Sequence, residues 1–202
     1  MMYFTGGLIA AYFLGSIPTA YVFGKLLKKI DIREYGSGNV GATNVFRTVG
    51  KIPGIIVLLL DFLKGLAAVT LIPIILAKIS PTVTEYSFLY IFLGAAVIAG
   101  HVWTAFLRFK GGKGVATTAG VMAGLSPWLL LASFIVWVIV FSVTKYVSLA
   151  SIIAATSLPI FAVIAGENFY FIVFCAVLCI VGVFGHRSNI RRLILGEEKK
   201  IL

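Results

Sequence analysis

The sequence has little charge for its length. Asp, Glu, Lys and Arg make up only 12% of its 202 residues, whereas 60% are hydrophobic, and the mean hydropathy is +1.08. An ordinary soluble domain is roughly 25% charged. This scarcity excludes a typical water-soluble domain and favours a chain embedded in lipid.

Cysteine and histidine are also scarce, with two of each. Cys175 and Cys179 are four residues apart in an apolar run, so we interpret them as packing residues on one helix face rather than a disulfide or a metal pair. Neither histidines nor carboxylates cluster near the connecting loops. We therefore predict no metal and no cofactor.

Apolar residues occur in runs of about 20, which is long enough to cross ~30 Å of hydrocarbon. The sequence therefore predicts an all-α, polytopic membrane protein with a single domain over 1–202. Lys, Arg and His are absent before the first run, so we expect a retained helix rather than a secretory signal. The predicted helices are 3–27 (with Pro18 inside), 53–77, 86–106, 115–125, 128–143, 147–165 and 169–185.

The short run 115–125 decides the number of crossings. Eleven residues do not span a bilayer at 1.5 Å per residue. The run is a short helix sunk between others, a re-entrant element or the first part of a kinked helix. Counting it as a crossing puts fifteen of the 17 Lys and Arg residues on one side. The positive-inside bias thus favours about seven helices, one or more of them short, with the N-terminus outside and the C-terminus in the cytoplasm.

The first inside loop, 35–47, is rich in glycine and in neutral polar side chains. Glycines let the backbone turn and present N–H groups to an anion. Ser37 adds a hydroxyl, and Arg47 adds a bidentate cationic group. The alternative is a flexible hairpin of turn-forming residues. The phosphate-binding candidates here are Gly38, Asn39, Thr43, Asn44 and Arg47.

The second inside loop, 108–118, is a glycine-rich turn that leads into a helix. Helix N-termini attract anions through unpaired N–H groups and the helix dipole. Gly114 follows Lys113 where a Walker A motif requires Ser or Thr, so we expect phosphate binding without magnesium-nucleotide chemistry. A positive-inside anchor with a turn is the alternative. The candidates are Lys110, Gly111, Gly112, Lys113 and Gly114.

The third inside segment, 185–197, contains His186 and Asn189, which share one face of a helical continuation. Arg187 and Arg191 share another face. His186 is a candidate general base or a hydrogen-bond donor to phosphate. The alternative is a juxtamembrane basic helix that binds anionic lipid. Because basic loops in a membrane protein first indicate topology and lipid contact, we predict no nucleic-acid partner.

Polar residues also occur inside the predicted spans. Asp61 and Lys64 favour a structural ion pair facing the bundle, with a site-lining role as the alternative. His101, at the inside end of the third helix, favours a bonded packing residue over a catalyst. A polar patch on the first helix either lines a cavity or is tolerated in the bundle. Its residues are Ser16, Pro18, Thr19 and Tyr21.

Three segments in order, 36–47, 100–117 and 185–197, together resemble the bacterial acyl-phosphate glycerol-3-phosphate acyltransferase (PlsY) family. The resemblance implies transfer of a fatty acyl group from acyl-phosphate to the 1-position of glycerol 3-phosphate, giving lysophosphatidic acid and inorganic phosphate for phospholipid synthesis. It also implies the bacterial inner membrane, an active site that faces the cytoplasm, and the acyl-phosphate-producing enzyme as a candidate partner.

Carried over by position, the resemblance implies one site made from all three loops, with the 111–114 amides around phosphate. Ser37, Lys113, His186 and Asn189 are the predicted catalytic residues, and Arg187 joins the phosphate-binding set. Acyl-phosphate is already activated, so the enzyme mainly brings two anions together and stabilises the oxyanion. We favour direct attack by the glycerol hydroxyl, with a covalent acyl-Ser37 as the competing route. The non-enzyme alternative is an anion or phosphate-ester transporter.

Overall fold

A computed structural model describes residues 2–85 and 88–201, which form helices joined by turns and loops. The predicted all-α class is confirmed. Contacts along the chain divide it into two compact units, 1–125 and 126–202. The prediction of one domain over 1–202 stays a prediction.

In the part of the chain that the structure describes, the first unit contains six α-helices. They are α1 (Met2–Ser16), α2 (Thr19–Lys28), α3 (Ala42–Thr48), α4 (Lys51–Ile79), α5 (Phe88–Val102) and α6 (Val115–Leu125). Short 3₁₀ turns lie at Ile32–Glu34, Pro81–Glu85 and Ala105–Leu107. The second unit contains α7 (Pro127–Thr144), α8 (Val147–Ile164), α9 (Phe169–Gly185) and α10 (Arg187–Ile194).

The structure differs from the predicted helices in three places. The first predicted helix is broken into α1 and α2 at Pro18, because proline lacks the N–H for the helical hydrogen bond and its ring clashes with the preceding turn. The third ends at Val102 and gives way to a 3₁₀ turn; its predicted start, Tyr86, lies outside the described residues. The first inside loop also contains α3, a seven-residue helix that the sequence did not predict.

Within the described ranges, five segments are long and apolar enough to cross a membrane. The α1–α2 segment counts as one of them, and α4, α5 with its 3₁₀ turn, α7 and α8 are the others. The pair α9–α10, bent by 57°, makes a sixth if it counts as one span. Helix α6 is apolar but has only 11 residues. The number of seven crossings and their orientation stay predictions.

Small residues allow the helices of the first unit to approach closely. A Cβ on Gly100 would overlap the Tyr12 carbonyl where α5 meets α1. A Cβ on Gly120 would overlap the Phe62 carbonyl where α6 meets α4. These contacts are backbone against backbone, so the two helix pairs have no room for a methyl group.

An apolar cluster holds both inside loops of the first unit in place. It joins α2, the first loop, α3, the start of α4 and the second loop. Each fully buried valine or leucine side chain stabilises the fold by ~1.5–3 kcal/mol. The loops that contain the candidate residues therefore rest on a packed base. The cluster consists of Ala20, Ile32, Val40, Val45, Val49, Val57 and Leu107.

The second unit packs α8 against both α7 and α9. Inside it, the Ser157 hydroxyl donates to the Ser133 hydroxyl over 3.2 Å, which pairs two polar groups that lipid would not solvate. Cys175 and Cys179 are both free thiols on α9. Their predicted role as packing residues rather than a disulfide pair fits this placement.

Candidate functional site

The first inside loop is organised around the buried side chain of Asn44. Its Nδ2 group donates to the carbonyl oxygens of Ile32, Tyr35 and Asn39 over 3.1, 3.0 and 3.0 Å. Its Oδ1 accepts the backbone N–H of Ser37 over 2.9 Å. Asn44 is only 2% exposed. Both ends of the amide are used to hold the loop, and the predicted substrate contact of Asn44 stays a prediction.

Ser37 lies exposed at the tip of this loop, with Gly36 and Gly38 on either side. Both glycines have left-handed backbone angles, φ 62° and 69°, which a side chain would disfavour. Asn39 follows in the same loop, and α3 then begins after Gly41. Thr43 lies half-buried in the first turn of α3, and Arg47 projects an exposed side chain from its last turn.

A tight turn at 108–114 forms the second loop. Arg108 and Phe109 have positive φ of 54° and 60°, an uncommon conformation for residues with side chains. The N–H of Gly111 donates to the Val102 carbonyl over 3.0 Å, and the N–H of Gly112 donates to the His101 carbonyl over 3.1 Å. Both amides therefore already donate within the protein, and their predicted phosphate contact stays a prediction.

The remaining candidates of the second loop flank this docked pair of glycines. Lys110 is exposed and Lys113 is half-buried. Gly114 has φ 79°, and its carbonyl accepts the N–H of Thr118 over 2.7 Å. Helix α6 begins directly after it, so the turn leads into a helix N-terminus, as the sequence predicts.

The two loops of the first unit meet at Val40 and Gly112. A Cβ on Gly112 would lie 2.7 Å from the Val40 carbonyl oxygen, closer than real Cβ contacts come. A small cavity adjoins this meeting point, and its volume of about 10 Å³ leaves room for about one water molecule. It is lined by residues that include Ser16, Pro18, Thr19, Val40, His101 and Gly112. The polar patch predicted on the first helix thus contributes three lining residues.

Beside this cavity lies a buried charged cluster. The Lys64 Nζ is 2.8 Å from Asp61 Oδ1, which confirms the predicted ion pair. The Thr19 hydroxyl donates to the same oxygen over 2.6 Å, and His101 Nδ1 lies 3.7 Å from it. Lys64 also donates to the Ile17 carbonyl over 3.2 Å at the α1–α2 break. Paired charges of this kind are the form in which ions are tolerated inside a membrane.

Some cations near the first loop are engaged locally. Arg33 donates to Asp31 through Nε and Nη2 over 2.9 and 2.6 Å, and this hydrogen bonding lowers the pKa of Asp31 to about 2. Lys28 Nζ donates to the Thr48 carbonyl over 2.9 Å. Arg33 therefore faces a permanent carboxylate at physiological pH, which makes it a weak phosphate candidate.

The second unit contains the third candidate segment. His186 lies between α9 and α10, and Asn189 follows in the first turn of α10. The sequence predicts that the two residues share one face, and this face is buried, with exposed fractions of 3% and 5%. His186 Nδ1 lies 2.7 Å from the Gly182 carbonyl oxygen. Because a carbonyl oxygen only accepts, Nδ1 carries a proton and donates it to this carbonyl.

Arg187 and Arg191 lie exposed on α10, on the opposite side from His186 and Asn189. The Arg187 guanidinium stacks on the Phe184 ring at 4.7 Å from its centre. It also donates to the Phe184 carbonyl over 3.3 Å. This packing orients Arg187 along its own helix junction, and its predicted phosphate contact stays a prediction.

Comparison with known proteins identifies the family. A family model described as glycerol-3-phosphate acyltransferase matches residues 6–196. The chain belongs to the glycerol-3-phosphate acyltransferase family. The predicted resemblance is confirmed, and the chain is a multi-pass membrane protein.

Relatives in this family align over nearly the whole chain. A glycerol-3-phosphate acyltransferase of Desulforamulus reducens is 48% identical over 194 residues, covering 96% of this chain and 93% of the relative. One from Prochlorococcus marinus strain MIT 9515 is 44% identical over 196 residues, covering 96% and 95%.

Two solved structures of PlsY (YgiH), an integral membrane glycerol 3-phosphate acyltransferase, are also similar at 42% identity. The glycerol 3-phosphate form superposes with a TM-score of 0.88 over 98% of this chain and 96% of that one. The lysophosphatidic acid form gives 0.84 over 98% and 94%.

Within this acyltransferase chain, sequence reasoning missed Glu198. Its Oε1 accepts from Ser148 and from Asn189, each over 2.7 Å, and its Oε2 accepts from Arg192 over 2.8 Å. Burial raises the pKa of Glu198, but the hydrogen bonds from Ser148, Arg192 and Asn189 outweigh it and leave the pKa below its ordinary value. Glu198 thus anchors the predicted catalytic Asn189. Its position two residues after Gly196, a turn glycine, was the available signal.

Proposed function

We propose that this protein transfers a fatty acyl group from acyl-phosphate to the 1-hydroxyl of glycerol 3-phosphate. The products are 1-acyl-glycerol 3-phosphate (lysophosphatidic acid) and inorganic phosphate. One observation supports this most strongly: the likeness over 98% of the chain to an acyltransferase solved in a glycerol 3-phosphate form and in a lysophosphatidic acid form. Those two forms represent an acceptor substrate and its acylated product.

The first unit supports the binding of a phosphorylated substrate. The loop that contains Ser37 is fixed from beneath by Asn44, and it adjoins α3, which presents Arg47. The second loop meets the first at Val40 and places Lys113 just ahead of the N-terminus of α6. A guanidinium, an ammonium and a helix N-terminus are groups that favour phosphate.

The proposed chemical step is a direct acyl transfer. The 1-hydroxyl oxygen of glycerol 3-phosphate attacks the carbonyl carbon of acyl-phosphate. The bond between that carbon and the bridging phosphate oxygen breaks, and inorganic phosphate leaves with both electrons of the bond. A phosphate oxygen of the substrate takes the hydroxyl proton. Ser37 positions or relays this proton, and the cationic groups stabilise the developing oxyanion.

The hydrogen bond made by His186 Nδ1 argues against a role for His186 as the general base of a charge-relay pair. Its Nδ1 donates to a backbone carbonyl rather than to a carboxylate, and a carbonyl stabilises an imidazolium less than a carboxylate does. We propose that His186 and Asn189 act by hydrogen bonding to the reactants. Substituting each in turn tests whether these residues of the second unit take part in the same reaction.

The cellular setting is proposed from the family. We place the protein in the bacterial inner membrane with its reactive groups on the cytoplasmic side, where the positive-inside bias puts most Lys and Arg residues. The donor is activated and prone to hydrolysis. A second enzyme that makes acyl-phosphate is therefore the candidate partner, since its product would have to reach this site promptly.

Purified protein in detergent tests the activity. Incubation with an acyl-phosphate and glycerol 3-phosphate should release phosphate and form an ester in equal amounts, and acyl-CoA should not replace the donor. Chromatography against 1-acyl and 2-acyl standards fixes the position of the ester. A transporter would release no phosphate, and an acyl-CoA-dependent product would refute the proposed donor.

Two variants test the proposed step. Ser37→Ala should lower the turnover rate by about 10²-fold, in line with loss of a proton-handling group. Ser142→Ala, an exposed serine on α7, is the matched control and should not change it. A near-normal rate for Ser37→Ala would remove Ser37 from the mechanism. Single-turnover trapping of an acyl-serine would replace direct attack with the covalent route.

A further inference from the structure

His101 connects the buried charged cluster to the second loop. On one side, its Nδ1 lies 3.7 Å from Asp61 Oδ1. On the other side, its Nε2 lies against the α-carbon of Gly112, so closely that a Cβ there would overlap the nitrogen. The imidazole is only 8% exposed. It therefore fills the space between a charged pair in the membrane and the turn that precedes Lys113.

The Asp61 side of this contact is rigidly held. Asp61 Oδ1 receives the Thr19 hydroxyl from α2 and the Lys64 ammonium from its own helix. Lys64 is tied in addition to the Ile17 carbonyl at the α1–α2 break. Asp61 and Lys64 are 2% and 6% exposed. A carboxylate with these partners has little freedom, because moving it would leave a buried charge unpaired.

On the loop side, His101 makes three contacts with the glycine turn. The His101 carbonyl accepts the Gly112 N–H over 3.1 Å. A Cβ on Gly111 would overlap the same carbonyl. The imidazole then closes over Gly112. The glycine turn is thus docked on the end of α5 through His101 and the neighbouring Val102 carbonyl, and His101 is the one whose side chain takes part.

We propose that His101 is a positioning residue for substrate phosphate. The Asp61 cluster orients the imidazole, and the imidazole sets the path of the glycine turn. The path of the glycine turn then directs Lys113 and the N-terminus of α6 toward the phosphate of glycerol 3-phosphate. This inference rests on the proposed function. It is distinct from a catalytic role, because His101 acts on the loop and not on the reacting atoms.

The two ring nitrogens of His101 can be separated by substitution. Glutamine places its amide nitrogen near the position of Nε2, so His101→Gln retains the group that faces Gly112. Asparagine places its amide nitrogen near Nδ1, so His101→Asn retains the group that faces Asp61 and leaves the turn unsupported. His101→Phe keeps the ring shape without either nitrogen. Tyr12→Phe is the control, because it removes a hydrogen bond of 2.7 Å from α1 to the Trp103 carbonyl near the same end of α5.

Steady-state kinetics with varied glycerol 3-phosphate at saturating acyl-phosphate gives the decisive comparison. His101→Asn and His101→Phe should raise KM for glycerol 3-phosphate by about 10-fold, one tenfold step in affinity, with kcat changed by less than about 3-fold. A misplaced phosphate contact weakens the ground state and the transition state equally, so KM changes and kcat does not. His101→Gln should restore KM to within about 3-fold of the original chain. Tyr12→Phe should leave KM unchanged.

A second measurement covers variants that fold poorly. Gly112→Ala forces a methyl group against His101 Nε2 and to 2.7 Å from the Val40 carbonyl oxygen, and His101→Ala relieves the first of these two clashes. The double variant should therefore show a smaller KM penalty than the two single penalties combined. Additive penalties would overturn the inference. Thermal unfolding in detergent, recorded for every variant, separates loss of fold from a change in KM.

The outcomes distinguish the inference from the function on which it rests. An original chain that forms no ester from acyl-phosphate and glycerol 3-phosphate overturns the proposed function and the inference with it. An active original chain with unchanged KM in His101→Asn overturns the inference alone. A collapse of kcat at constant KM also overturns it, because that result would make His101 catalytic.

Discussion

Replacing Asn44 by alanine should unfold the first loop and stop turnover. The side chain makes hydrogen bonds to three carbonyls and to one backbone N–H. Its two amide hydrogens are shared among the three acceptors, so about three net bonds are lost. At ~0.5–1.5 kcal/mol each, Asn44→Ala should cost about 2–4 kcal/mol of stability. Because Ser37 loses its anchor, the rate should fall by at least about 10²-fold.

The comparison variants sharpen this prediction. Asn44→Asp keeps the acceptor for the Ser37 N–H but turns a carboxylate oxygen toward the Ile32, Tyr35 and Asn39 carbonyls. Asn44→Asp should lower the unfolding midpoint and the rate at least as much as Asn44→Ala, since a charged carboxylate oxygen would face carbonyl oxygens at close range. Asn168→Ala is the control: Asn168 caps α9 by accepting the Phe171 N–H over 3.0 Å, and its loss should cost ~1 kcal/mol without affecting turnover.

The assay combines thermal unfolding in detergent with initial rates of phosphate release. For a chain of this size each kcal/mol shifts the midpoint by roughly 2–4 °C, so Asn44→Ala should show a clear decrease. A rate within about 2-fold of the original chain, with an unchanged midpoint, would refute the assignment of Asn44 as the organiser of the loop. A lower midpoint with normal turnover would mean that Ser37 does not need its anchor.

Three further predictions concern other positions. Glu198 has a lowered pKa in the folded state, so the stability that it contributes is present above the unfolded-state pKa and is lost as pH falls through the folded-state pKa. Below about pH 4 the unfolding midpoint of the original chain should therefore drop. The midpoint of Glu198→Gln should drop much less. Gly111→Ala should raise KM for glycerol 3-phosphate, whereas Gly6→Ala, with open space around it, should leave kinetics unchanged and stabilise α1 by up to ~1 kcal/mol in a melting experiment. Thr19→Val removes the 2.6 Å bond to Asp61 and should lower the midpoint by the equivalent of ~1–3 kcal/mol; an unchanged midpoint would show that Asp61 does not need it.

The sequence predicted the long helices well because their boundaries are chemically explicit. Helices α6 and α9 begin and end at the predicted residues, since a serine-proline pair follows the first and a Gly-Glu-Asn turn precedes the second. Helix α3 was missed because seven residues are too few to show a helical period. Its helical form depends on the apolar cluster beneath it, which is a tertiary feature.

The sequence predicted which polar residues lie in the candidate loops, but it did not predict the hydrogen-bond partners of those residues. Glycines 111 and 112 and Asn44 are present where phosphate contacts were expected, yet their polar groups bind the protein itself. Glu198 lay just outside the recognised motif, and the turn at Gly196 that returns it to Asn189 becomes evident only in three dimensions. The sequence pattern indicates which polar groups lie close together. The hydrogen-bond partner of each group becomes evident only from the three-dimensional structure.

The placement of both Asp61 and Lys64 on α4 has a consequence for how the protein is made. The two charges stand three residues apart on one helix, so α4 brings its own counter-ion into the bilayer. During synthesis the middle of this segment can therefore enter the bilayer with its two charges already paired, before α2 adds the Thr19 hydroxyl to the cluster.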